Sequence, residues 1–293
     1  MCVRDVLCLG EAEDPSPARC GPVSSVHQGF QETGQSGGTE AIFRWLDGAD
    51  ESPLIQQVKR RMLDVCAVEA GDQVLDVGCG LGHEARRLAQ ITGPQGRVVG
   101  IDANPAMITE ARRRGEGLDL PVSFDVGDAH KVGFGDGSFD LCRTERVLRY
   151  VDRPAAVLAE MVRLTRPGGS VLAFDFDSEQ TVVDAPDPVL VRRIADVLDA
   201  AVPHPWIGRQ LFRLFQEAGL RDVRVVPHAF CLSGAAGFAA YQRLNQGSID
   251  RAVQAGQISA SEVAAWWAAL EQAAEAETFF WAILGFIAVG HKA

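Results

Sequence analysis

Three glycines alternate with other residues behind a carboxylate in the segment Asp76-Val-Gly78-Cys-Gly80-Leu-Gly82. Glycine lets the backbone turn sharply and pass close to a ligand, and the free N–H groups of a following helix can bind polar groups. Because the segment follows a short apolar run, it is typical of a strand-to-helix turn beneath a bound molecule. A tight turn that serves only the fold is the structural alternative.

Two further carboxylates follow at the ends of later apolar runs. Asp102 stands 20 residues after Gly82, and Asp128 lies in Gly127-Asp-Ala129. A carboxylate at a strand end can accept both hydroxyl hydrogens of a ribose, and a second one can accept from an adenine amino group. The three strand ends together predict a nucleoside-containing ligand. The G-x-G-x-G spacing differs from the G-x-G-x-x-G that cradles the pyrophosphate of a dinucleotide.

The elements that must position these residues alternate along the chain. Apolar runs predict strands at 73–78, 97–102, 121–126, 138–143 and 170–175. Amphipathic stretches predict helices at 53–66, 83–90, 105–114 and 154–165. Strands that alternate with helices at this spacing indicate right-handed crossovers and a parallel sheet, and hence an α/β fold.

The first and last parts of the chain depart from this alternation. Residues 1–38 are rich in Gly, Pro and Ser and predict an irregular arm before a domain at 39–293. A helix is predicted at 208–218 and strands at 223–231 and 281–290. The intervening 232–278 predicts a helical insertion, with Ser261 as the N-cap of a helix that reaches 276. Insertions of this length are usually functional, so the arm and the insertion are both candidates to cover a substrate.

Residues 73–175 resemble a class I S-adenosylmethionine (SAM)-dependent methyltransferase, of the group that includes ubiquinone/menaquinone-type and natural-product small-molecule methyltransferases. The segments that carry the resemblance are Val74–Gly82, Val99–Asp102, Gly127–Ala129, Phe139–Thr144 and Leu164–Gly169. The resemblance implies a Rossmann-like, mostly parallel sheet of seven strands with an antiparallel last strand. It also implies SAM as the cofactor.

The resemblance assigns a role to each matching position. The implied cofactor-binding residues are Asp76, Gly78, Gly80, Gly82, Asp102, Ala103, Met107, Asp128, Ala129 and Arg143. The glycines would lie under the amino-acid part of SAM, Asp76 would orient its ammonium group, and Asp102 would hold the ribose. Ala103, Met107, Asp128 and Ala129 would surround the adenine, and Arg143 would lie near the methionine moiety. Ordinary helix packing is the alternative for Met107.

Methyl transfer to a hydroxyl is helped by a general base that accepts the proton. The candidates at the catalytic position are His204, in Pro203-His-Pro-Trp206, and Glu145, just past the fourth strand. A packing histidine and a helix-start carboxylate beside the helix dipole are the structural alternatives. His27 is a further candidate, and His228 is expected to be structural because it lies within a strand pattern.

The acceptor is inferred mainly by exclusion. The net charge of −11 argues against nucleic acid, and the segment Arg143-Thr-Glu-Arg146 lacks the Asn/Asp-Pro-Pro-aromatic pattern of base-modifying methyltransferases. The five aromatic residues of the last third either line a hydrophobic pocket or form ordinary core: Trp206, Phe238, Tyr241, Trp266 and Trp267. We therefore expect O- or N-methylation of a small molecule, in natural-product (secondary) metabolism.

Other readings stay open beside this one. They are a quinone-type C-methyltransferase, a SAM-binding protein with cyclase or decarboxylase chemistry, an NAD(P)-dependent oxidoreductase and a noncatalytic scaffold. Seven scattered cysteines without a C-x-x-C pair predict no disulfide framework, no metal site and a reducing cytoplasm. The apolar run at 279–290 is too short to span a bilayer, so no membrane partner is expected, and a homodimer stays open.

Overall fold

The computed structural model describes residues 36–293. The predicted arm and His27 therefore lie outside the described residues, except that 36–38 form the start of the first helix. Two helices, α1 (Ser36–Glu51) and α2 (Pro53–Val65), precede the sheet. The sequence predicted α2 but not α1.

Strands and helices alternate through the middle of the chain, as predicted. The elements are β1 (Gln73–Val77), α3 (His83–Thr92), β2 (Arg97–Asp102), α4 (Pro105–Gly115), β3 (Val122–Val126), β4 (Phe139–Glu145), α5 (Pro154–Leu164) and β5 (Thr165–Val183). Pro stands at the start of both α4 and α5, where its missing N–H costs no helical hydrogen bond. Strand β5 is much longer than predicted, because its last residues, 181–183, pair with β7.

The last third adds four helices and two strands. They are α6 (Pro188–Ala200), α7 (Ile207–Glu217), β6 (Arg221–Ser233), α8 (Gly234–Gln254), α9 (Ala260–Glu275) and β7 (Phe280–His291). Helices α8 and α9 occupy the predicted insertion between the last two strands. No helix within 36–293 is long and apolar enough to cross a membrane.

The seven strands form one sheet in the order β3-β2-β1-β4-β5-β7-β6. Strands β1 to β5 are parallel to one another, and β7 runs antiparallel to both of its neighbours. This arrangement confirms the predicted Rossmann-like sheet. The strand order reverses between β1 and β4, and in open α/β sheets a ligand crevice forms at such a switch point, outside the carboxyl ends of the strands.

Both faces of the sheet are buried. One core cluster joins Val74 and Val289 to helices α2, α3, α8 and α9, and the other joins Leu75 and Ala288 to helices α5 and α7. Neighbouring residues of one strand therefore point to opposite cores. This explains why the central strands are continuous apolar runs in the sequence and do not alternate with polar residues.

The prediction that Ser261 caps the last helix is wrong. Ser259 is the N-cap: its Oγ accepts from the N–H of Glu262 at 3.2 Å, and its own N–H donates to Glu262 Oε2 at 3.1 Å. This reciprocal capping box requires a Glu three residues after the cap, and Ser259 alone of the two serines has one. Ser261 lies inside the first helical turn.

Candidate cofactor and substrate site

A cavity of about 1090 Å³ lies at the carboxyl ends of the parallel strands. Its lining runs from the glycine turn after β1, through the ends of β2 and β4, to helices α1, α6 and α8. Drug-sized ligands occupy pockets of about 300–1,000 Å³. The cavity therefore has room for more than one small ligand.

The three glycines of the turn all have positive φ, with values of +74° at Gly78, +53° at Gly80 and +71° at Gly82. Two of them are also crowded: a Cβ at Gly78 would collide with Val147, and one at Gly82 would collide with Phe124. At Gly80 the nearest atom to such a Cβ would be Leu46 Cδ1, at 3.9 Å. Glycine is thus needed for the conformation at all three positions and for space at two.

Asp102 fastens this turn to the end of β2. Its Oδ2 accepts from the Gly80 N–H and its Oδ1 from the Asn104 N–H, each at 2.9 Å. Burial raises the pKa of the carboxyl, and these two N–H donors partly offset the rise. Each oxygen keeps a second lone pair, so the carboxylate can still accept from two hydroxyl groups in the cavity.

Asp76, Arg143 and Glu145 form a buried ion-pair chain on the cavity floor. Arg143 Nη1 donates to Asp76 Oδ1 at 3.1 Å, and its Nη2 donates to Glu145 Oε2 at 2.9 Å. Burial raises the pKa of Asp76 to about 6 against the opposing charge of Arg143. For Glu145, burial is outweighed by Lys59, Arg146 and Arg143, which lower its pKa to about 2.

A second ion-pair cluster continues the floor toward α1. Lys59 Nζ lies 2.8 Å from Asp50 Oδ1, 3.2 Å from Glu84 Oε2 and 4.0 Å from Glu145 Oε2. Arg87 pairs with Asp50 at 2.5 Å and with Glu84 at 3.2 Å. Although burial opposes it, the two cations hold the pKa of Asp50 well below its usual value. The cluster joins α1, α2, α3 and β4.

The positions expected around an adenine lie together along the same cavity. Ala103, Met107, Asp128 and Ala129 all line it, and Met107 is also packed in the interior. Asp128 Oδ1 accepts from the backbone N–H of His130 at 2.9 Å and lies 2.7 Å from the His130 ring Nδ1. These two contacts lower the pKa of the Asp128 carboxyl.

Helix α1 forms a wall of the cavity that the sequence did not predict. Asp47 holds it against α3 and α4, because its Oδ1 lies 2.9 Å from His83 Nε2 and 2.5 Å from Arg114 Nη1. The sequence signal for the helix was the spacing of Ile42, Leu46 and Ala49, which places them on one face.

The far part of the cavity is a mostly apolar chamber beyond the ends of β4 and β5. The apolar side chains that line it include Leu198, Val202, Phe230, Leu232, Leu244 and Trp281. The polar side chains in this lining are Arg149, Ser178, Thr181, Asp199, Arg243, Asn245 and Ser248. Helices α6 and α8 supply much of the wall, so part of the predicted insertion covers the chamber.

The structure places the two predicted proton acceptors differently. His204 does not line the cavity; its Nε2 lies 2.9 Å from the Val151 carbonyl oxygen, and its backbone N–H donates to the Arg149 carbonyl at 3.1 Å. These contacts are those of a loop-packing histidine. Glu145 does line the cavity, but its ion pairs and depressed pKa make it a weak proton acceptor at neutral pH.

Of the two alternatives for the five aromatic residues of the last third, the structure does not support the pocket, because none of them lines the cavity. Tyr241 and Trp266 are buried in the core, and Trp206 is 49% exposed. Phe238 packs against Trp267 at a centroid distance of 6.4 Å. The chamber takes its aromatic lining from β5, β6 and β7 instead.

Helix α6 was not predicted from the sequence, and neither were the chamber residues on it. The sequence does mark its start, since Asp187 precedes Pro188 and the Asp187 side chain accepts from the N–H groups of residues 189 and 190. Val191, Ile194 and Leu198 supply the helical spacing. Within residues 36–293, no group of three or more His, Cys, Asp or Glu side chains is placed to hold a metal ion.

Comparisons with known proteins agree with this geometry. The model of the methyltransferase domain family matches residues 68–219, more than half of the chain. The chain is 38% identical over 224 residues to an uncharacterised 37.1 kDa protein in transposon TN4556 of Streptomyces fradiae, covering 76% of this chain and 64% of that protein. It is 35% identical over 150 residues to methyltransferase GfsG of Streptomyces halstedii, covering 50% of this chain and 54% of that protein. The chain thus spans less than two thirds of either relative.

A solved structure shares the fold. Phosphoethanolamine N-methyltransferase 2 of Haemonchus contortus, in complex with SAM, superposes with a TM-score of 0.58 at 17% identity, over 92% of this chain and 60% of that one. The family match, the seven-stranded sheet and the glycine turn at its switch point all agree. The chain therefore belongs to the methyltransferase domain family, as a class I SAM-dependent member.

Proposed function

We propose that the chain transfers the methyl group of SAM to a hydroxyl or amine of a largely apolar small molecule. The observation that carries the proposal is the continuity of one cavity from the glycine turn and Asp102 to the chamber beneath α6 and α8. A cofactor in the first part and an acceptor in the second would meet without passing through solvent. Alignment and exclusion of water supply much of the catalysis in such a site.

The residues at the first part fit SAM. The turn at Gly78, Gly80 and Gly82 leaves space for the amino-acid part, and Asp102 offers lone pairs to the ribose hydroxyls. Only one oxygen of Asp76 accepts from Arg143, which leaves Oδ2 for the ammonium group. Bound SAM would supply a methyl group on a positively charged sulfur that an acceptor lone pair can displace.

The chamber supports the acceptor class. Its apolar side chains favour an acceptor with an extended hydrophobic surface, and its polar side chains can orient a hydroxyl or an amine. The net charge of −11 supports the absence of a nucleic-acid substrate. The natural-product acceptor and the homodimer stay predictions from the sequence.

Ligand binding tests the proposal first. Thermal unfolding is measured with SAM, S-adenosylhomocysteine (SAH), NAD and NADP, each in excess. A ligand at about 100 times its dissociation constant adds about 2.7 kcal/mol to the free energy of unfolding. Stabilisation by SAM and SAH alone supports the proposal, and stabilisation by a nicotinamide nucleotide overturns it. Small hydroxyl and amine compounds are then screened for SAH release by mass spectrometry; stabilisation without methylated product would favour cyclase or decarboxylase chemistry.

Asp102→Ala is the variant that tests the cofactor half of the site. Without the carboxylate the ribose hydroxyls lose their acceptor, and we expect SAH binding to weaken by about 1–3 kcal/mol in calorimetric titration. Asp125→Asn, at an exposed ion pair on β3, is the matched control and should leave binding unchanged. Unchanged affinity in a folded Asp102→Ala protein would show that another group holds the ribose.

A further inference from the structure

Asp199 differs from the other carboxylates of the cavity. Each of the other half-buried or buried ones accepts a hydrogen bond or pairs with a cation: Asp50, Asp76, Glu84, Asp102 and Glu145. Asp128 and Asp152 also line the cavity but are exposed to solvent. Asp199 is half-buried, and its carboxylate makes no hydrogen bond or ion pair to any residue of the described range 36–293. Both oxygens are therefore available to a molecule in the chamber.

The fold places this carboxylate where its charge is unfavourable. Asp199 lies in the last turn of α6, at the negative end of the helix dipole. Burial raises its pKa to about 6, and the negative charges of Asp196, Glu179 and Asp177 add to the rise against the positive charge of Arg149. A lone carboxylate held against such forces contributes nothing to the stability of the fold, which points to a role toward a ligand.

Asp175, on the neighbouring β5, shows what a structural carboxylate looks like in this region. Its Oδ2 accepts from the Arg149 N–H at 3.1 Å and its Oδ1 from the Phe176 N–H at 3.0 Å. Arg149 in turn donates from Nη2 to Ser178 Oγ at 2.7 Å. The backbone therefore fixes Asp175, whereas nothing comparable fixes Asp199.

The histidines that line the cavity are less suited to act on an acceptor. His83 is held by Asp47 and Arg114, outside the chamber. His130 follows β3, which is four strand positions from β5 in the sheet, or about 19 Å at the usual strand spacing. Asp199 lies on the β5 side, where α6 packs against β5 and α8.

We propose that Asp199 accepts the proton that the methyl acceptor loses. The inference rests on the proposed function and adds the group that accepts the proton in that reaction. The acceptor oxygen or nitrogen forms the new bond to the methyl carbon with its lone pair, and the C–S bond breaks with its electron pair left on sulfur. The O–H or N–H proton passes to a carboxylate oxygen of Asp199 and from there to solvent. A carboxyl group whose pKa is about 6 is mostly ionised at pH 7, so it is free to take a proton there, and it holds that proton better than an ordinary aspartate does.

The first test needs no acceptor and uses the unfolding midpoint. Because the pKa of Asp199 is raised in the folded state, its ionisation opposes folding as the pH rises through about 6. Asp199→Asn should therefore raise the unfolding midpoint by about 2 °C at pH 8 and leave it unchanged at pH 4. Asp196→Asn, one turn earlier and exposed on the same helix, is the matched control and should change it less. A lower midpoint for Asp199→Asn at pH 8 would show a structural carboxylate and overturn the inference.

Carbon-13 NMR of labelled aspartate carboxyl groups measures the same property directly. The Asp199 signal is identified as the one that is present in the wild type and absent from Asp199→Asn, and it should titrate with a midpoint near pH 6. A midpoint near the ordinary value of about 3.9 would overturn the inference.

Turnover completes the test with an acceptor from the SAH-release screen. Asp199→Asn should lower kcat by about 10²–10⁴-fold at pH 7 and remove the acidic limb of the pH profile, with SAH affinity unchanged. Asp196→Asn should keep an acidic limb, moved slightly to lower pH because one of the charges that raise the pKa of Asp199 is gone, and wild-type kcat in Asp199→Asn would overturn the inference. If the wild type fails to bind SAM, the proposed function fails, and the stability and NMR tests still decide whether Asp199 has the raised proton affinity that the inference requires.

Discussion

Gly78 shows how one residue fixes the site. Its φ of +74° and its contact with Val147 come from different causes, the turn of the backbone and the packing of the β4–α5 loop. Gly80 has the first constraint without the second, because its surroundings leave space for a methyl group. The pair therefore separates conformational strain from steric exclusion within one turn.

Gly78→Ala and Gly80→Ala should have unequal effects. Both should lose about 1–2 kcal/mol from the left-handed conformation. Gly78→Ala should lose a further amount of about 1–3 kcal/mol through overlap with Val147. Urea unfolding and SAH titration measure both losses, and Val147→Ala should rescue part of the Gly78→Ala defect. Equal losses in the two single variants would contradict the steric argument.

Residues of the cofactor half were predictable one by one, whereas those of the chamber were not. Gly78 and Asp102 stand in short local patterns whose chemistry can be stated from the sequence, and both line the cavity. Asp199 belongs to no such pattern. Its position depends on how helix α6 packs against strand β5, and the spacing of residues in the sequence does not encode that contact. His204 is the opposite case. Histidine is a common proton acceptor and this one lies near the site in the sequence, but its ring faces a backbone carbonyl.

At the scale of elements, the N-terminus of α9 is set by a local rule, the capping box. Ser259 and Ser261 are both capable caps by residue type, and only the partner three residues later distinguishes them. The alternating strands and helices from β1 to β5 were predictable because both sheet faces are buried. Helices α1 and α6 were missed although their apolar spacing was present.

Ser259→Ala should destabilise the protein by about 1 kcal/mol, because the Glu262 N–H would lose its acceptor. Ser261→Ala, two residues later on an exposed position, is the control and should stay within about 0.5 kcal/mol of the wild type. Urea unfolding at pH 7 measures both. A larger loss in Ser261→Ala would show that the helix begins later than in the structure.

At the scale of the whole molecule, the two buried ion-pair clusters on the cavity floor join elements that are distant in sequence. Helices α1, α2 and α3 reach β1 and β4 through buried pairs, so the cavity and the stability of the domain depend on the same side chains. Breaking a buried pair by removing one partner is costly because it leaves an uncompensated charge.

Glu145→Gln tests this dependence through pH. The pKa of Glu145 is lowered from 4.5 to about 2, so its ionised form stabilises the fold above pH 4.5, and that contribution is lost as the pH falls toward 2. The variant should lose about 2–3 kcal/mol at pH 7. Its deficit relative to the wild type should shrink between pH 4.5 and 2. Chemical unfolding across this range measures it, with the exposed Glu271→Gln as control; a deficit independent of pH would contradict the assignment.

The charge balance of the cavity floor also bears on the relative affinities of the site for SAM and for SAH. Asp50, Asp76, Glu84 and Glu145 face Lys59, Arg87, Arg143 and Arg146, so four negative groups are matched by four positive ones. These eight groups alone therefore give the positively charged sulfur of SAM little advantage over the uncharged sulfur of SAH. Cofactor and spent cofactor should therefore compete for the site on nearly equal terms. We therefore expect SAH to displace SAM from the purified protein at similar concentrations of the two compounds.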